Sequence, residues 1–381
     1  MIPMTATPPL KEFIKHKKIK IWVLAPGQSH GDENLDYYYD FTQSIAEYTK
    51  VFQKLCIAWE WKQVTLDNYK ETIEGIITEQ KVKDNIPLII NLCDGDEVNG
   101  APGISVIHYL DDRKLIYTGS DAHFFYITTS KIDMKRVFDN AGVSNAAWYP
   151  INEKEYDPDE IMRVVGTPVI VKPAVSGGSM GVGVKNVVDN AEGLKNQIEE
   201  IKRGYRGWDL LSGGLVVEKF IEGREFTVFI TGSWDRPDEA KVYPPVERLF
   251  HESLPEKQRF LSFDRLWEIY ENESPMPMQG DFYKYGSPEP ELHETIKEIS
   301  WKAYAALKGK GYTRIDIRMD GKTGKLYVLE ANAQCGLSED ENYTSIGAIL
   351  RLSDNSFSDA IMEIINDGFE RHVGNKKALT I

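Results

Sequence analysis

Three short segments carry most of the residues that could do chemistry. The first is Lys172-Pro173-Ala174-Val175-Ser176-Gly177-Gly178-Ser179-Met180-Gly181-Val182-Gly183. Closely spaced glycines let backbone N–H groups approach phosphate oxygens without side-chain hindrance. A P-loop needs GxxxxGK[ST] opening a helix. Here no Lys-Ser or Lys-Thr follows, and Val182, Val184 and Val187 continue in β-branched sequence. The segment therefore reads as the tip of a β-hairpin folded over a nucleotide; taken alone, it also reads as a plain flexible turn.

The second is Arg314-Ile315-Asp316-Ile317-Arg318 together with Glu330-Ala331-Asn332. Strict alternation puts Arg314 and Asp316 on one strand face. A hairpin through Asp320–Lys325 brings them opposite Glu330 and Asn332. Asp, Glu and Asn supply hard oxygen ligands, which suit Mg²⁺ completed by substrate phosphates and water. Arg314 suits negative charge developing on a transferred phosphoryl group. A solvated outer hairpin face is the other reading. Against it, alternation puts Leu326 and Val328 on the face of Glu330, where an unpaired carboxylate is expensive. The third segment, Leu215–Glu225, turns from strand to strand through Glu222-Gly223 and offers backbone groups to a base edge, or is an ordinary hairpin.

The surrounding elements must position these groups. Lys20–Leu24 is a short strand ending at Ala25-Pro26-Gly27, Leu35–Trp59 is helical, and Pro87–Leu92 is a buried strand. His108–Leu110 lies in a helix and Lys114–Tyr117 is a strand. Strands alternating with helices imply a parallel sheet with covering helices, an α/β arrangement. Beyond about Thr128 the texture changes. Lys131–Ala141, Glu192–Ile201, Glu291–Leu307 and Ser356–Asn366 read as helices, and Val169–Lys172, Val182–Val188, Leu215–Lys219 and Glu225–Thr231 as strands. Arg236–Pro290 is polar, Pro-rich and weakly periodic, the length and texture of a lid.

Composition bounds the rest. The chain has 381 residues, enough for two or three domains at about 150 each, with 41% hydrophobic and 27% charged residues. The formal charge of -14 argues against nucleic acid as a partner. Cys56, Cys93 and Cys335 form no CxxC pair, so neither a disulfide framework nor a cysteine zinc site is expected. No apolar run approaches the roughly 18 residues of a membrane span, and the first twenty residues lack a signal core. A cytoplasmic location is the expectation. His30 and His123 read as hydrogen-bonded surface or core residues, and Cys93 as an inert thiol.

In order and spacing, six segments resemble the ATP-grasp superfamily, specifically D-alanine–D-alanine ligases: NLCDG (Asn91–Gly95), YTGSDA (Tyr117–Ala122), TSKIDMKRVFDNAGV, VIVKPAVSGGSMGVGV, VVEKFIEGREFTV and YTRIDIRMDGKTGKLYVLEANAQCGL. The resemblance runs from about Ile21 to Gly347. It implies an α/β (α+β) ATP-grasp fold: a doubly wound parallel-sheet domain over residues 1–127, a central lobe over 128–214 and a C-terminal lobe over 215–381, the two lobes sandwiching ATP. Lys131 and Lys172 match the lysines that hold the α- and β-phosphates. Gly177, Gly178 and Ser179 lie in the loop whose backbone caps the phosphates. Glu218, Lys219, Phe220 and Ile221 match the adenine hinge, and Glu225 the ribose carboxylate. Asp316, Glu330 and Asn332 match the ligands of two Mg²⁺ ions, for which Mn²⁺ is an alternative. Arg314 matches the arginine over the acyl phosphate and Gly336 the oxyanion-side glycine. Glu33 sits where these ligases bind the first substrate's amine. A homodimer is usual among them.

The departures fall on the substrate side. Gly178 stands where D-alanine ligases carry a second loop serine. Leu266-Trp267 stands where their lid has Lys-Tyr, although a one-residue slip gives Arg265. Glu341 replaces a serine that receives the second substrate's carboxylate, and an acid there repels a carboxylate. The expectation is the same reaction on other substrates: an ATP- and Mg²⁺-dependent ligase joining a small carboxylate to an amine through an acyl phosphate. Another ATP-grasp enzyme, of kinase or carboxylase type, and a nucleotide-binding protein without catalysis are the rivals.

Overall fold

Ile21–Pro26 is an unbroken buried run, the pattern of a parallel strand covered on both faces. A computed structural model describes residues 19–28, 39–152, 155–267, 273, 281–340 and 344–373. Glu33, Glu341, His30 and the start of the expected Leu35–Trp59 helix lie outside these residues.

The first unit runs β1 (Ile19–Pro26), α1 (Thr42–Leu55), β2 (Ala58–Val64), α2 (Tyr69–Lys83), β3 (Ile86–Asn91), α3 (Ile104–Asp112), β4 (Ile116–Tyr117) and α4 (Ala122–Thr129). Its sheet is parallel, in the order β2-β1-β3-β4. Alternate residues of β1 serve opposite faces. Ile21 and Val23 pack with Tyr48 and Phe52 of α1, whereas Trp22 and Leu24 pack with Ile73 of α2 and Val106 of α3. The sheet is therefore wound on both sides, as the alternating pattern implies. The sequence pattern runs the first helix through Trp59; the structure ends it at Leu55 and starts a strand at Ala58.

α5 (Lys131–Asn140) follows, capped by the Ser130 hydroxyl, which accepts from the Asp133 amide at 3.3 Å. The small sheet is built from β5 (Trp148–Ile151), β6 (Val169–Pro173), β7 (Val187–Val188) and β8 (Leu215–Lys219), antiparallel in the order β5-β8-β6-β7. One face, with Val169, Val171, Leu215 and Val217, is covered by α6 (Pro158–Val165) and α7 (Ala191–Lys202). Period-2 alternation sends Ile170, Lys172, Val216 and Glu218 to the other. The glycine segment links antiparallel β6 and β7, so it is the hairpin tip expected. Val182–Val188 is not a continuous strand: only Val187 and Val188 pair, after a helical turn at Val184–Asn186.

The large sheet takes β9 (Gly223–Thr231), β10 (Lys241–Val242), β11 (Val246–Phe250), β12 (Tyr283–Gly286), β13 (Tyr312–Asp320) and β14 (Leu326–Ala333). Its order is β12-β11-β9-β13-β14, with β10 also on β9. Phe226, Val228, Ile230, Ile315 and Ile317 face α4, α5 and α9 (Pro290–Ala306). The weakly periodic Arg236–Pro290 stretch thus hides three strands, and the short helix α8 (Phe263–Leu266) lies in the part expected to form a lid. Glu222-Gly223 is not a hairpin turn, because β8 and β9 belong to different sheets.

The expected β13–β14 hairpin forms and pairs Arg314 with Asn332 and Asp316 with Glu330. A bulge then shifts the register, so Ile317 pairs with Val328. Because of it, Leu326, Val328 and Ala331 face the helices, while Leu329, Glu330 and Asn332 face the cleft. Plain alternation puts Glu330 on the face of Leu326 and Val328; the extra residue reverses the phase.

α10 (Ser345–Leu352) and α11 (Phe357–Val373) close the chain. Ile361, Ile364 and Ile365 of α11 pack with Ile21 and Leu88 of the first sheet. Gln334 also ties the large lobe to that sheet. Its Oε1 accepts from Ser120 Oγ at 2.8 Å, and its Nε2 donates to the Cys93 carbonyl at 2.8 Å. Beside this junction Gly311, at φ +84, leaves no room for a Cβ, which would strike the Gly119 carbonyl. Gly311→Ala should lower the unfolding free energy by about 3 kcal/mol, strain and clash together. Gly324→Ala, at φ +69 in open space, should cost about 1 kcal/mol. Denaturant titration checks the contrast, and equal losses would refute the tight crossing.

Candidate active site

A cavity of about 570 Å³ lies between the small and large sheets. Lys131, at the first turn of α5, donates from Nζ to the Ser176 carbonyl at 3.0 Å and lies 3.9 Å from Glu330 Oε2. It therefore joins the glycine loop to the acidic strand pair. Lys172 Nζ is 3.6 Å from Glu218 Oε2, and Lys135, one turn along α5 from Lys131, is 3.3 Å from the same oxygen. Burial opposes the Glu218 charge, but Lys135, Lys172 and Lys131 outweigh it and hold the carboxyl below its ordinary value. Burial lowers Lys131 and Lys135 in turn.

On the large sheet Asp316 is the centre. Arg314 grips it through Nε at 3.0 Å and Nη2 at 2.9 Å, and Asn332 Nδ2 donates to it at 3.0 Å. Burial again disfavours the carboxylate, yet Arg314 and Arg248 dominate and hold it below the usual range. Among the described residues no three His, Cys, Asp or Glu side chains gather into a metal cage. The donor set is instead two carboxylates opposite one another in register, with an amide beside them. That fits Mg²⁺, which binds through one or two carboxylates plus substrate phosphates rather than an all-protein cage.

Gly177, Gly178, Ser179 and Gly336 line the same cleft. Ser179 adopts φ +63, and its hydroxyl donates to the Leu261 carbonyl at 3.0 Å. The lid lies across the loop: Trp267 Nε1 donates to the Gly178 carbonyl at 3.1 Å, and the Phe263 amide to the Val182 carbonyl at 2.9 Å. Leu266 and Trp267 face the cleft. Arg265, the one-residue alternative, is turned away and donates to Gln258 Oε1 at 2.9 Å.

The hinge is bonded to both sheets. The Lys219 and Phe220 amides donate to Ala147 and Pro168 carbonyls at 2.8 and 2.9 Å, and the Ile221 carbonyl accepts from Arg318 Nη1 at 2.8 Å. Glu225 is held between Arg248 and Arg318, whose Nε lies 3.3 Å from it.

Sequence reasoning missed Lys135, Arg318, Arg248 and Asp94. Lys135 stands at i+4 from Lys131 on one helix face, and Arg318 continues the Arg314–Asp316 alternation, so both were there to be found. Arg248 lies in the weakly periodic stretch and gave no signal. The Cys93 and Cys335 thiols are buried, which pushes Cys335 up to about 12 and Cys93 up as well, in keeping with inert packing.

A glycine loop with lysines from the small sheet and α5, facing paired acids on the large sheet, is the arrangement of an ATP-grasp protein. Residues 137–366 match the family described as D-ala D-ala ligase C-terminus, and the chain belongs to that family. A D-alanine–D-alanine ligase of Desulfotalea psychrophila is 27% identical over 271 residues, 70% of this chain and 74% of the relative. One from Xanthomonas axonopodis pv. citri is 28% identical over 274 residues, 70% of this chain and 75% of the relative. The crystal structure of D-alanine–D-alanine ligase from Bacillus anthracis complexed with ATP shares the fold, with a TM-score of 0.64 at 20% identity over 94% of this chain and 99% of that one.

Asp94 opens onto the cleft, yet the enclosing walls and nearby Asp96 push its carboxyl from 3.8 up to about 6. The folded chain then binds this proton more tightly than the unfolded one, so folding stability falls as pH rises from 3.8 to about 6 and stays lower above it. Asp94→Asn should therefore raise the melting temperature relative to the parent above that window and not below it. Thermal unfolding across the window reads this out; a gain independent of pH would rule Asp94 out as the cause.

Proposed function

We propose that this protein is an ATP- and magnesium-dependent carboxylate–amine ligase that forms an amide through an acyl phosphate and releases ADP and phosphate. What supports this reading most is the 3.9 Å approach of Lys131 Nζ to Glu330 Oε2, one residue from each of the two groups the reading assigns to phosphate and to metal.

In this reading Lys131 and Lys172 hold the α- and β-phosphates, and the backbone of Gly177–Ser179 caps the chain. Glu218 to Ile221 receive adenine and Glu225 the ribose hydroxyls. Asp316, Glu330 and Asn332 would hold two Mg²⁺ ions, or Mn²⁺, which neutralise charge on the β- and γ-phosphates. Arg314 and the Gly336 amide hold the acyl phosphate while the amine attacks its carbonyl carbon and phosphate leaves. The lid, lying on the glycine loop, keeps out water that would hydrolyse the intermediate. Catalysis is positioning plus electrostatics.

The substrates are small molecules, one a carboxylic acid and one an amine. Glu33 is assigned to the first substrate's amine. Glu341, standing where D-alanine ligases keep a serine, argues for a second substrate without a carboxylate at that point. Among the described residues no helix is long and apolar enough to cross a membrane; a cytoplasmic homodimer completes the reading.

Substrate-dependent turnover of ATP with magnesium, screened over amino acids and small acids, should release ADP. Release of AMP would refute the acyl-phosphate route. Glu330→Gln should lower turnover by at least about a hundredfold, since even outer-shell changes at metal sites cost ten- to a hundredfold, with the circular dichroism spectrum unchanged. A fully active variant would refute the metal assignment.

A further inference from the structure

Arg248 on β11 is 4% exposed and lines the cleft. One Nη donates to Glu225, while Nε is enclosed without a hydrogen-bond partner among the described residues. The rings of Tyr283 and Tyr285 lie 5.5 and 5.6 Å from its guanidinium carbon. They orient the head group without meeting its donors. A guanidinium carries five N–H donors. One that is buried with its Nε unused, beside a cavity, is suited to an anion the protein does not itself supply.

Its neighbours indicate which anion. Arg248 pairs in register with Glu225, and its charge acts on Asp316, which lies two strands away in the β11-β9-β13 order. The Arg248 guanidinium therefore acts on both the ribose carboxylate and a metal carboxylate of the ligase reading, although the strand of Glu225 lies between the other two. A nucleotide's phosphate chain runs from the one carboxylate to the other. Lys131 and Lys172 approach it from α5 and the small sheet; Arg248 approaches from the large sheet.

We propose that Arg248 is a further phosphate-binding residue: as the ribose hydroxyls take Glu225, Arg248 turns from that carboxylate to an oxygen of the phosphate chain. The proposal rests on the ligase reading. A substrate carboxylate is the competing anion, and the partnership with Glu225 favours phosphate.

Binding without turnover tests it. Magnesium ADP and adenosine are titrated separately against the full chain, Arg248→Met and Arg248→Lys, by displacement of a fluorescent ATP analogue. Arg248→Met should weaken ADP about ten- to a hundredfold, the worth of a charge-assisted hydrogen bond, and leave adenosine unchanged; Arg248→Lys should recover part of the loss. Should the Met variant fail to fold, the ADP-to-adenosine ratio of Arg248→Lys decides, with a selective weakening of ADP still expected. Equal losses of ADP and adenosine would mean that Arg248 merely holds Glu225, and would overturn the proposal. Unchanged ADP affinity would overturn it too, leaving a carboxylate as its anion. A parent chain that binds no ADP sinks the ligase reading itself, a separate outcome.

Discussion

Three lysines converge on one buried carboxylate, and the rest of the cleft depends on that imbalance. Glu218 is 2% exposed, and its Oε2 lies within 3.3 Å of Lys135 and 3.6 Å of Lys172. Lys131 adds to the same field. One carboxylate cannot balance three ammonium groups, and uncompensated buried charge costs several kcal/mol per ion. Such a cluster persists where an outside anion completes it. Without Glu218 the lysines would repel one another; with it, Lys131 and Lys172 present their charge to the cavity.

The facing sheet solves the opposite problem. Asp316 and Glu330 would repel each other across the β13–β14 register. Arg314 and Asn332 hold Asp316 in the meantime, and Lys131 stands near Glu330. In the ligase reading a divalent cation would take over the carboxylate oxygens that these partners now face. The bulge after Asp316 brings the second acid into the cleft at all. In an unbroken ladder, either Glu330 or the Leu326–Val328 pair would face the wrong medium.

Much of this was legible because the decisive segments are short strands, where side-chain direction follows from parity. Lys172 opposite Val171, and Asp316 between Ile315 and Ile317, needed only alternation, and the Asp320-Gly321 turn fixed which strands meet. What parity cannot show is an inserted residue, so alternation alone misplaces Glu330. Nor does a local pattern tell which sheet a strand joins: Glu222-Gly223 looks like a hairpin turn, although its flanking strands part company. The three strands within Arg236–Pro290 escape notice because both their faces are mixed. Arg248 and Tyr285 are polar residues turned toward the cleft, and inward polar groups erase the hydrophobic period that would have revealed the strands. Arg248, inward and polar on such a strand, is the cleft residue that gave least signal.

The two ends of the cleft are built differently, and that difference bears on how it works. At the hinge the backbone itself is fastened to both sheets. The Lys219 and Phe220 amides are spent on Ala147 and Pro168, and the Ile221 and Glu222 carbonyls accept from Arg318 and the Gly321 amide. Spacing between the sheets is therefore set there by main-chain bonds and one buried arginine on a main-chain carbonyl, which change little when a ligand arrives. At the glycine-loop end, among the described residues, long side chains and the expected lid segment join the sheets. Lys131 reaches toward Glu330, and Trp267 rests on Gly178. Side-chain contacts of this kind exchange for ligand contacts at small cost, since each ammonium or carboxylate trades one charged partner for another. The hinge end is thus a fixed gauge and the glycine-loop end an adjustable one, the division that suits the proposed reaction, in which the base would stay put while a phosphoryl group moves.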